Sequence, residues 1–591
     1  MPYGQPADFF STSSSQGRLV RISLLAAFFL SSLPFLAWQH PIFVPTWQSE
    51  WYAAMSGLLF SVVLLRSAAW REPIIPLSLV PIALLASIAI WQGFMDFSAS
   101  LGVSWLYGLE MLWAALLMLS AMHLPAARLK RAMSYGLLVA GVVGGALGLV
   151  QSMRLPAFYG QPALFAQDGL AYGFLAQRNL FADLQSLAIM SLAFAPHSRH
   201  TLGRALRWFL LGLLAASAAA SGSNALVLYI VFGLIWGLIL MRRMPEQGRS
   251  LLTTVLVAAA IGGATFALRA HAQQVSHVAG ASILLTLWKT SLQTIWNHPL
   301  WGIGIGNTPQ VFYDFAASLP HTTQWAAFHA QGWNNVHNLV LQLWMEAGLL
   351  GLLVSLFLAG LIFYAMWTTT TVEQAWAIAL LGVLGLHSMV EFPLWTMPFM
   401  ALAALLISII SPRKKFRFPN AFGVAPIALS GLVVGLAALS IQMTFQFNKL
   451  TQIGEYNLNP KNVMANAHVL MSLDDQIKCH GLSAIILQPI ATLAQARFPV
   501  MSIPQSGWED AGRRMKILMR LMPFGYIPYI NAQLLALNNH SEEAIEATRK
   551  ALRATPKAAK NVLDVMEPFL ARTPNLRPVA EQIEHSIKNE E

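Results

Sequence analysis

The chain has 591 residues, of which 56% are hydrophobic and only 11% charged, and its formal net charge is +11 at pH 7. A soluble domain carries about 25% charged residues, so a water-soluble globule is excluded and lipid must cover much of the surface. The basic residues fall in short clusters between apolar segments, which is typical of membrane proteins and not of proteins that bind nucleic acid.

The N-terminal region predicts a membrane helix. Arg18 and Arg21 precede an apolar run, and no small-residue cleavage site follows it, so we do not expect a cleaved signal peptide. The single cysteine, Cys479, excludes an intrachain disulfide and a thiolate metal cluster.

Apolar runs near the length that crosses a bilayer recur along the chain. They predict about thirteen membrane helices, at residues 20–38, 51–66, 74–92, 104–124, 132–151, 178–195, 205–222, 224–241, 251–269, 347–366, 375–391, 395–411 and 424–443. With this number of spans, the basic clusters that begin at Arg18, Arg66, Arg128, Arg199, Arg242 and Arg413 all lie on one side. That side is the cytoplasm, so we predict a multi-pass inner-membrane protein with a cytoplasmic N-terminus and a periplasmic C-terminus.

Two regions on the periplasmic side are long enough to fold. Residues 270–346 form a loop far longer than ordinary connections, within a membrane domain that we assign to residues 1–445. Residues 446–591 are richer in charge and have helical periodicity. Ser541, followed by two glutamates, begins a helix that resembles a tetratricopeptide repeat. The fold class is therefore all-α: a polytopic membrane helix bundle with a periplasmic helical domain.

Polar residues at the mouths of the predicted membrane helices are the candidates for chemistry. We expect His337, Leu341 and Trp344 to share one helical face, beside a polar ridge of Asn338, Gln342 and Glu346. A titratable group at that depth is a functional candidate. The alternative is a hydrogen-bonded structural histidine.

Other motifs allow two interpretations. Arg178, flanked by Gln177 and Asn179, and Lys289 are either phosphate contacts or cations that snorkel to the interface. The glycine-rich residues 302–306 lack the lysine of a phosphate loop, so we do not expect a nucleotide site there. We predict a tight turn at these glycines instead. The equal spacing of His321, His329 and His337 allows a zinc site, but no carboxylate follows the pattern of a metalloprotease.

Four motifs carry a resemblance to a known family. They are "LPFLAWQHPIFVPTWQSEW" (residues 33–51), "LAQRNLFA" (175–182), "VHNLVLQLWMEAGLLG" (336–351) and "HSMVEFPLW" (387–395). The third resembles the signature of the O-antigen ligase and polymerase superfamily. Together, the four resemble the PglL-type protein O-oligosaccharyltransferases, or pilin glycosylation ligases.

The resemblance implies an enzyme that needs no metal or cofactor. Such enzymes move a glycan from an undecaprenyl-pyrophosphate lipid to Ser or Thr hydroxyls of periplasmic or pilin proteins. The functional histidine of the family falls on His337 and its glutamine on Gln177. We assign pyrophosphate binding to Arg178, Lys289, Gln177 and Asn179, and positioning of the acceptor or sugar to Asn338, His387 and Glu391.

Three positions depart from the family pattern. Phe392 replaces the expected tyrosine, and Asn224 and Leu284 stand where relatives usually carry arginines that are expected to hold pyrophosphate. The open alternatives are ligation to lipid A-core, polymerisation of lipid-linked glycan, and a homologue without catalytic activity. A transporter is a further alternative, but we find no internal repeat of the transporter kind.

Overall fold

A computed structural model describes residues 15–41, 43–66, 74–153, 169–175, 177–270, 279–321, 325, 328–329, 332–415, 424–455, 481–497, 500 and 503–590. Cys479 lies outside these residues. The described part of the chain is almost entirely helical, as expected where lipid leaves the backbone no hydrogen-bond partner other than itself.

The α-helices are numbered here in chain order. They are α1 Ser15–Leu30, α2 Trp47–Phe60, α3 Leu79–Phe94, α4 Leu101–Met122, α5 Ala126–Ser152, α6 Arg178–Ala193, α7 Thr201–Ala220, α8 Ala225–Arg243, α9 Pro245–Ala270, α10 Ala279–Asn297, α11 Thr308–Ser318, α12 Leu339–Thr368, α13 Val372–His387, α14 Met397–Ile410, α15 Val424–Glu455, α16 Leu482–Gln495, α17 Trp508–Leu521, α18 Ile527–Leu537, α19 Ser541–Ala554, α20 Ala559–Met566 and α21 Arg577–Glu590. Short 3-10 helices cover Leu33–Leu36, Ser61–Leu65, Pro393–Trp395, Gln505–Gly507, Pro556–Ala558, Glu567–Phe569 and Pro574–Leu576.

Eight helices in the described part of the chain are long and apolar enough to cross a membrane. They lie at Gly17–Leu36, Leu101–Met122, Ala126–Ser152, Thr201–Ala220, Ala225–Arg243, Pro245–Leu268, Leu339–Thr368 and Pro426–Gln452. Helices α3, α13 and α14 are apolar but shorter. The all-α polytopic architecture is thus confirmed, whereas the number of about thirteen spans stays a prediction.

One compact unit comprises residues 1–83, 110–275 and 357–440. Its core is centred on α13 and α14, where Trp376 and Leu405 are fully buried. The indole N–H groups hold neighbouring helices to α13: Trp376 donates to Ser191 Oγ on α6 at 3.2 Å, and Trp236 on α8 donates to the carbonyl of Ala375 at 3.1 Å. Two short strands, β1 Ile74–Pro76 and β2 Arg413–Lys415, pair antiparallel in the same unit.

The other unit comprises residues 84–109, 276–356 and 441–591. Helices α17 to α21 surround a core that includes Leu518, Tyr529 and Met566. The long loop packs on them: Lys550 Nζ lies 2.7 Å from Asp314 Oδ1. The C-terminal region is helical as expected, and its likeness to a tetratricopeptide domain stays a prediction.

The start of α12 differs from the sequence-based expectation. The helix begins at Leu339, and His337 has φ +54°, outside helical geometry. The prediction that His337 shares a helical face with Leu341 and Trp344 is therefore wrong. The physical reason is the side chain of Asn338, which accepts a hydrogen bond from the N–H of Leu341 at 3.1 Å and so caps the helix.

Helix α12 is broken at Gly348, which has φ +64°. The turn of residues 298–306 fills the break: Leu349 N–H donates to the carbonyl of Leu300 at 3.0 Å, and Ile303 N–H donates to that of Met345 at 2.8 Å. A Cβ on Gly348 would lie 2.1 Å from the carbonyl oxygen of Leu300, so only glycine fits. The expected tight turn is confirmed.

Candidate functional site

Helix α6 begins within the first candidate cluster. Gln177 is its N-cap, and its side-chain oxygen accepts a hydrogen bond from the N–H of Leu180 at 3.1 Å. Arg178 is the first helical residue and is half-buried. Asn179 Nδ2 donates to Glu391 Oε1 at 2.7 Å. Gln177 and Asn179, both assigned to pyrophosphate binding, thus make structural contacts: Gln177 caps α6, and Asn179 joins α6 to Glu391.

A second contact lies one turn deeper along α6. Asp183 Oδ2 accepts from His387 Nδ1, and Asp183 Oδ1 accepts from the hydroxyl of Tyr229 on α8. The N–H of Glu391 donates to the carbonyl of His387 at 2.8 Å, so the helical turn continues past α13. The Asn179–Glu391 and Asp183–His387 pairs therefore form two successive rungs, which we call the α6–α13 ladder.

The two rungs differ in how far their side chains are buried. Asp183 and His387 are 0% exposed and Tyr229 is 2% exposed, whereas Asn179 and Glu391 are half-buried. His387 is too deep to touch a sugar, so any influence on positioning acts through the ladder. Asp183 and Tyr229 were missed in the sequence. The i, i+4 spacing of Asn179 and Asp183, and of His387 and Glu391, shows that each pair shares a helical face, but no spacing marks Tyr229 or shows that the two faces meet.

An apolar crevice of about 340 Å³ opens in the same unit, between α6, α7, α8 and α9. Tyr229 forms part of its wall and links it to the deep rung of the ladder. Ser223 and Asn224 also line it, just before α8 begins. Asn224 is exposed, so one of the two positions where the resemblance led us to expect arginine lies on the lining of an apolar crevice.

The other unit holds His337 in a fixed loop. Its N–H donates to Asn335 Oδ1 at 3.0 Å, and its ring packs edge-to-face on Trp333, with 5.8 Å between centroids. The imidazole is half-buried. A left-handed φ is uncommon for histidine and costs about 1–2 kcal/mol, so the surrounding contacts must stabilise this conformation.

A buried polar chain supports that loop. Glu346 Oε1 accepts from the hydroxyl of Thr308 at 2.7 Å and from the N–H of Gly306 at 3.1 Å. Thr308 Oγ1 accepts from Gln342 Nε2 at 2.9 Å, and Gln342 Oε1 accepts from the N–H of Val336 at 2.8 Å. The expected polar ridge of α12 thus faces the protein interior and holds the residue that precedes His337.

The remaining candidates are spread along the second unit. Lys289 is exposed on α10. The rings of His321 and His329 are 5.0 Å apart, but His321 Nε2 lies 2.8 Å from the carbonyl oxygen of Arg553. Within the described residues, no group of three or more His, Cys, Asp or Glu is arranged to hold a metal ion, so the three histidines do not form the zinc site that their spacing allowed.

Comparison with protein families adds to this geometry. Residues 209–356 match the family model described as O-antigen ligase. This region of the chain is thus similar to the O-antigen ligase family. The matched residues include α8 and α9, which form walls of the crevice, together with Asn224, Leu284, Lys289 and the His337 loop.

A second model matches further along the chain. Residues 375–477 match the C-terminal region of a virulence factor membrane-bound polymerase. This match includes His387 and Glu391 of the α6–α13 ladder, whereas Asp183 precedes both matched regions. No curated protein matches the chain. Both family descriptions imply transfer of glycans, by ligation or by polymerisation.

The buried chain behind His337 gives a first testable prediction. Thr308→Val keeps the shape of the side chain but removes the hydroxyl that joins Glu346 to Gln342. We expect the His337 loop to loosen and turnover to fall about tenfold, since one or two buried hydrogen bonds of about 1 kcal/mol are lost. Steady-state glycan transfer and donor affinity should be measured separately.

Thr308→Ser is the matched control, because it restores the hydroxyl in a smaller side chain. We expect it to recover most of the turnover. If Thr308→Val transferred glycan as fast as the native chain, the buried chain would have no part in holding His337.

Proposed function

We propose that the chain is a glycosyltransferase of the oligosaccharyltransferase type. It transfers a glycan from an undecaprenyl-pyrophosphate-linked donor to Ser or Thr hydroxyls of periplasmic or pilin proteins, at the periplasmic face of the inner membrane. The observation that carries this proposal is the constrained His337 loop within the region that matches the O-antigen ligase family. The four motifs that resemble the PglL-type enzymes support the choice of a protein acceptor.

The chemistry requires a base near the acceptor hydroxyl. His337 takes the hydroxyl proton while the acceptor oxygen forms a bond to the anomeric carbon. The bond from that carbon to the phosphate oxygen breaks, and the lipid pyrophosphate leaves. A single displacement of this kind inverts the anomeric centre. A positioned histidine contributes about 10²–10⁴-fold to such a step, and alignment of the reactants contributes more.

The departing pyrophosphate needs positive charge nearby. We assign this role to Arg178 and Lys289, the first of which begins a helix whose N-terminal N–H groups favour anions. Gln177 and Asn179 act by fixing the start of that helix, and Asn338 by capping α12. The crevice beside Asn224 has the apolar lining that an isoprenoid tail requires.

Glycan polymerisation is the second candidate function. The match of residues 375–477 to a membrane-bound polymerase favours it. The donor would be the same, and the acceptor would be a second lipid-linked glycan. Ligation to lipid A-core uses the same chemistry with a third acceptor.

One experiment separates these acceptors. Glycans on pilin, on periplasmic proteins and on lipopolysaccharide should be profiled in cells with the native chain, without it, and with His337→Asn. We expect loss of glycan mass from Ser- or Thr-bearing proteins in the latter two strains. A loss confined to lipopolysaccharide, or shortened lipid-linked chains with unchanged proteins, would contradict the protein acceptor.

A further inference from the structure

Helix α10 has apolar side chains on two faces. Leu287 and Ile295 are at most 3% exposed and belong to the core around Phe312, and Ser291 on the same side is fully buried. A second apolar row points away from the protein: Leu285 is 63% exposed, Leu292 49% and Trp296 84%. These three residues, with exposed Lys289 between them, follow the i, i+4, i+7, i+11 spacing of one helical face. We call this row the outer face of α10.

The outer face continues into other exposed apolar surface of the same unit. Leu300 and Trp301, in the turn after α10, are 60% and 64% exposed, and the Trp301 ring centroid lies 5.8 Å from that of Trp91 on α3. The turn is fixed to α12 at the Gly348 break. Beyond this break, exposed leucines line the apolar part of α12, at Leu349, Leu353 and Leu356.

Helix α12 is long and apolar enough to cross a membrane. The exposed side chains of this helix begin at Leu349, so the break at Gly348 lies at one end of its lipid-facing surface. The tryptophans beside the break lie where the aromatic belt of a membrane protein is expected. Since the outer face of α10 is continuous with that belt, the cover that best fits it is the bilayer.

We propose that α10 lies in the membrane interface, with Leu285, Leu292 and Trp296 buried at the boundary between the lipid headgroups and acyl chains. Lys289, on the same face, then lies at the depth of the lipid phosphates, which is also the depth at which the pyrophosphate of a lipid-linked donor lies. An interfacial helix of this kind is bound by its apolar face together with attraction to anionic lipids. The occupant of the outer face is thus a lipid surface and not a protein.

The proposal is tested by measuring where the outer face lies in a membrane. The chain has a single cysteine, so Cys479→Ser gives a cysteine-free chain in which a spin label can be attached at one chosen position. Leu285→Cys, Leu292→Cys and Trp296→Cys, each in that background, are spin-labelled in the full-length protein and reconstituted in liposomes of phosphatidylethanolamine and phosphatidylglycerol. Collisions of the label with oxygen report lipid, and collisions with a water-soluble nickel chelate report water.

Two labelled positions serve as references. Leu353→Cys marks the lipid-facing side of α12, and Glu542→Cys marks an exposed position on α19. We expect the three outer-face labels to favour oxygen, as the Leu353 label does, and the Glu542 label to favour nickel. Gln293→Cys, exposed on the flank of α10, should give an intermediate value. An unfolded variant would not show this change of collision preference with position around the helix.

Three results would overturn the proposal. Outer-face labels that collide with nickel as the Glu542 label does would place the face in water. Exclusion of both reagents would show that protein covers it. Dipolar broadening between labels of neighbouring molecules would identify that protein as a second copy of the chain.

Discussion

Replacing His337 is expected to abolish glycan transfer while leaving the protein folded. If the imidazole removes the acceptor proton, its loss should lower turnover about 10²–10⁴-fold with little change in donor affinity. The left-handed φ of +54° at this position determines which substitution removes the imidazole alone. Alanine is strained in that conformation, whereas asparagine tolerates it. His337→Asn therefore removes the base and keeps the loop, whereas His337→Ala disturbs both.

Turnover and donor binding should be measured for both variants with the purified protein in liposomes. His298→Ala is the matched control, since His298 is an exposed histidine in the same unit. We expect it to transfer glycan at the native rate. Near-native turnover in His337→Asn, with slow transfer only in His337→Ala, would show that the backbone conformation matters and the imidazole does not.

Replacing Asp183 is expected to have the largest effect on stability. This carboxylate is fully buried and contacts both His387 and Tyr229, so one side chain joins α6, α8 and α13. Its removal leaves two buried polar groups, on His387 and Tyr229, without their hydrogen-bond partner, at about 1–3 kcal/mol each or about 2–6 kcal/mol in total. Asp183→Ala should therefore lower the free energy of unfolding by that amount, measured by reversible unfolding in mixed micelles.

Tyr229→Phe is the graded comparison, because it removes one hydroxyl contact with Asp183 and keeps the ring. A hydrogen bond between membrane helices contributes about 0.6 kcal/mol on average, so the loss should be much smaller than in Asp183→Ala. Equal losses in the two variants would mean that the contact with His387 adds nothing to the stability of the ladder.

The sequence predicted the helical architecture well, because hydropathy over about 20 residues reports lipid exposure directly. It could not predict which helices pair. Asp183 and His387 are 204 residues apart in the chain, and each carries no mark of its partner. The contact depends on the arrangement of α6 and α13 in three dimensions, which hydropathy does not encode.

The candidate site was predicted in part. Gln177, Arg178 and Asn179 do begin a helix, as expected from the apolar run that follows them. The predicted helical face was extended back to His337 because His337, Leu341 and Trp344 have helical spacing, but α12 begins at Leu339. Asparagine is a favoured N-cap, and Asn338 would have shown where the helix begins. The left-handed backbone of His337 has no sequence signal, since histidine rarely adopts it.

The break at Gly348 has a consequence for how this region can vary. The turn of residues 298–306 is joined to α12 by main-chain hydrogen bonds, and Gly302, Gly304 and Gly306 all have positive φ. The hydrogen bond that the N–H of Leu349 donates to the carbonyl of Leu300 makes no demand on either side chain. The junction is therefore encoded by the absence of side chains. Ile303 and Ile305 between these glycines are packed inward, whereas Leu300 and Trp301 are exposed. The exposed side chains of the turn can therefore change while the main-chain junction is kept, so the surface beside the break can vary on one unchanged main-chain frame.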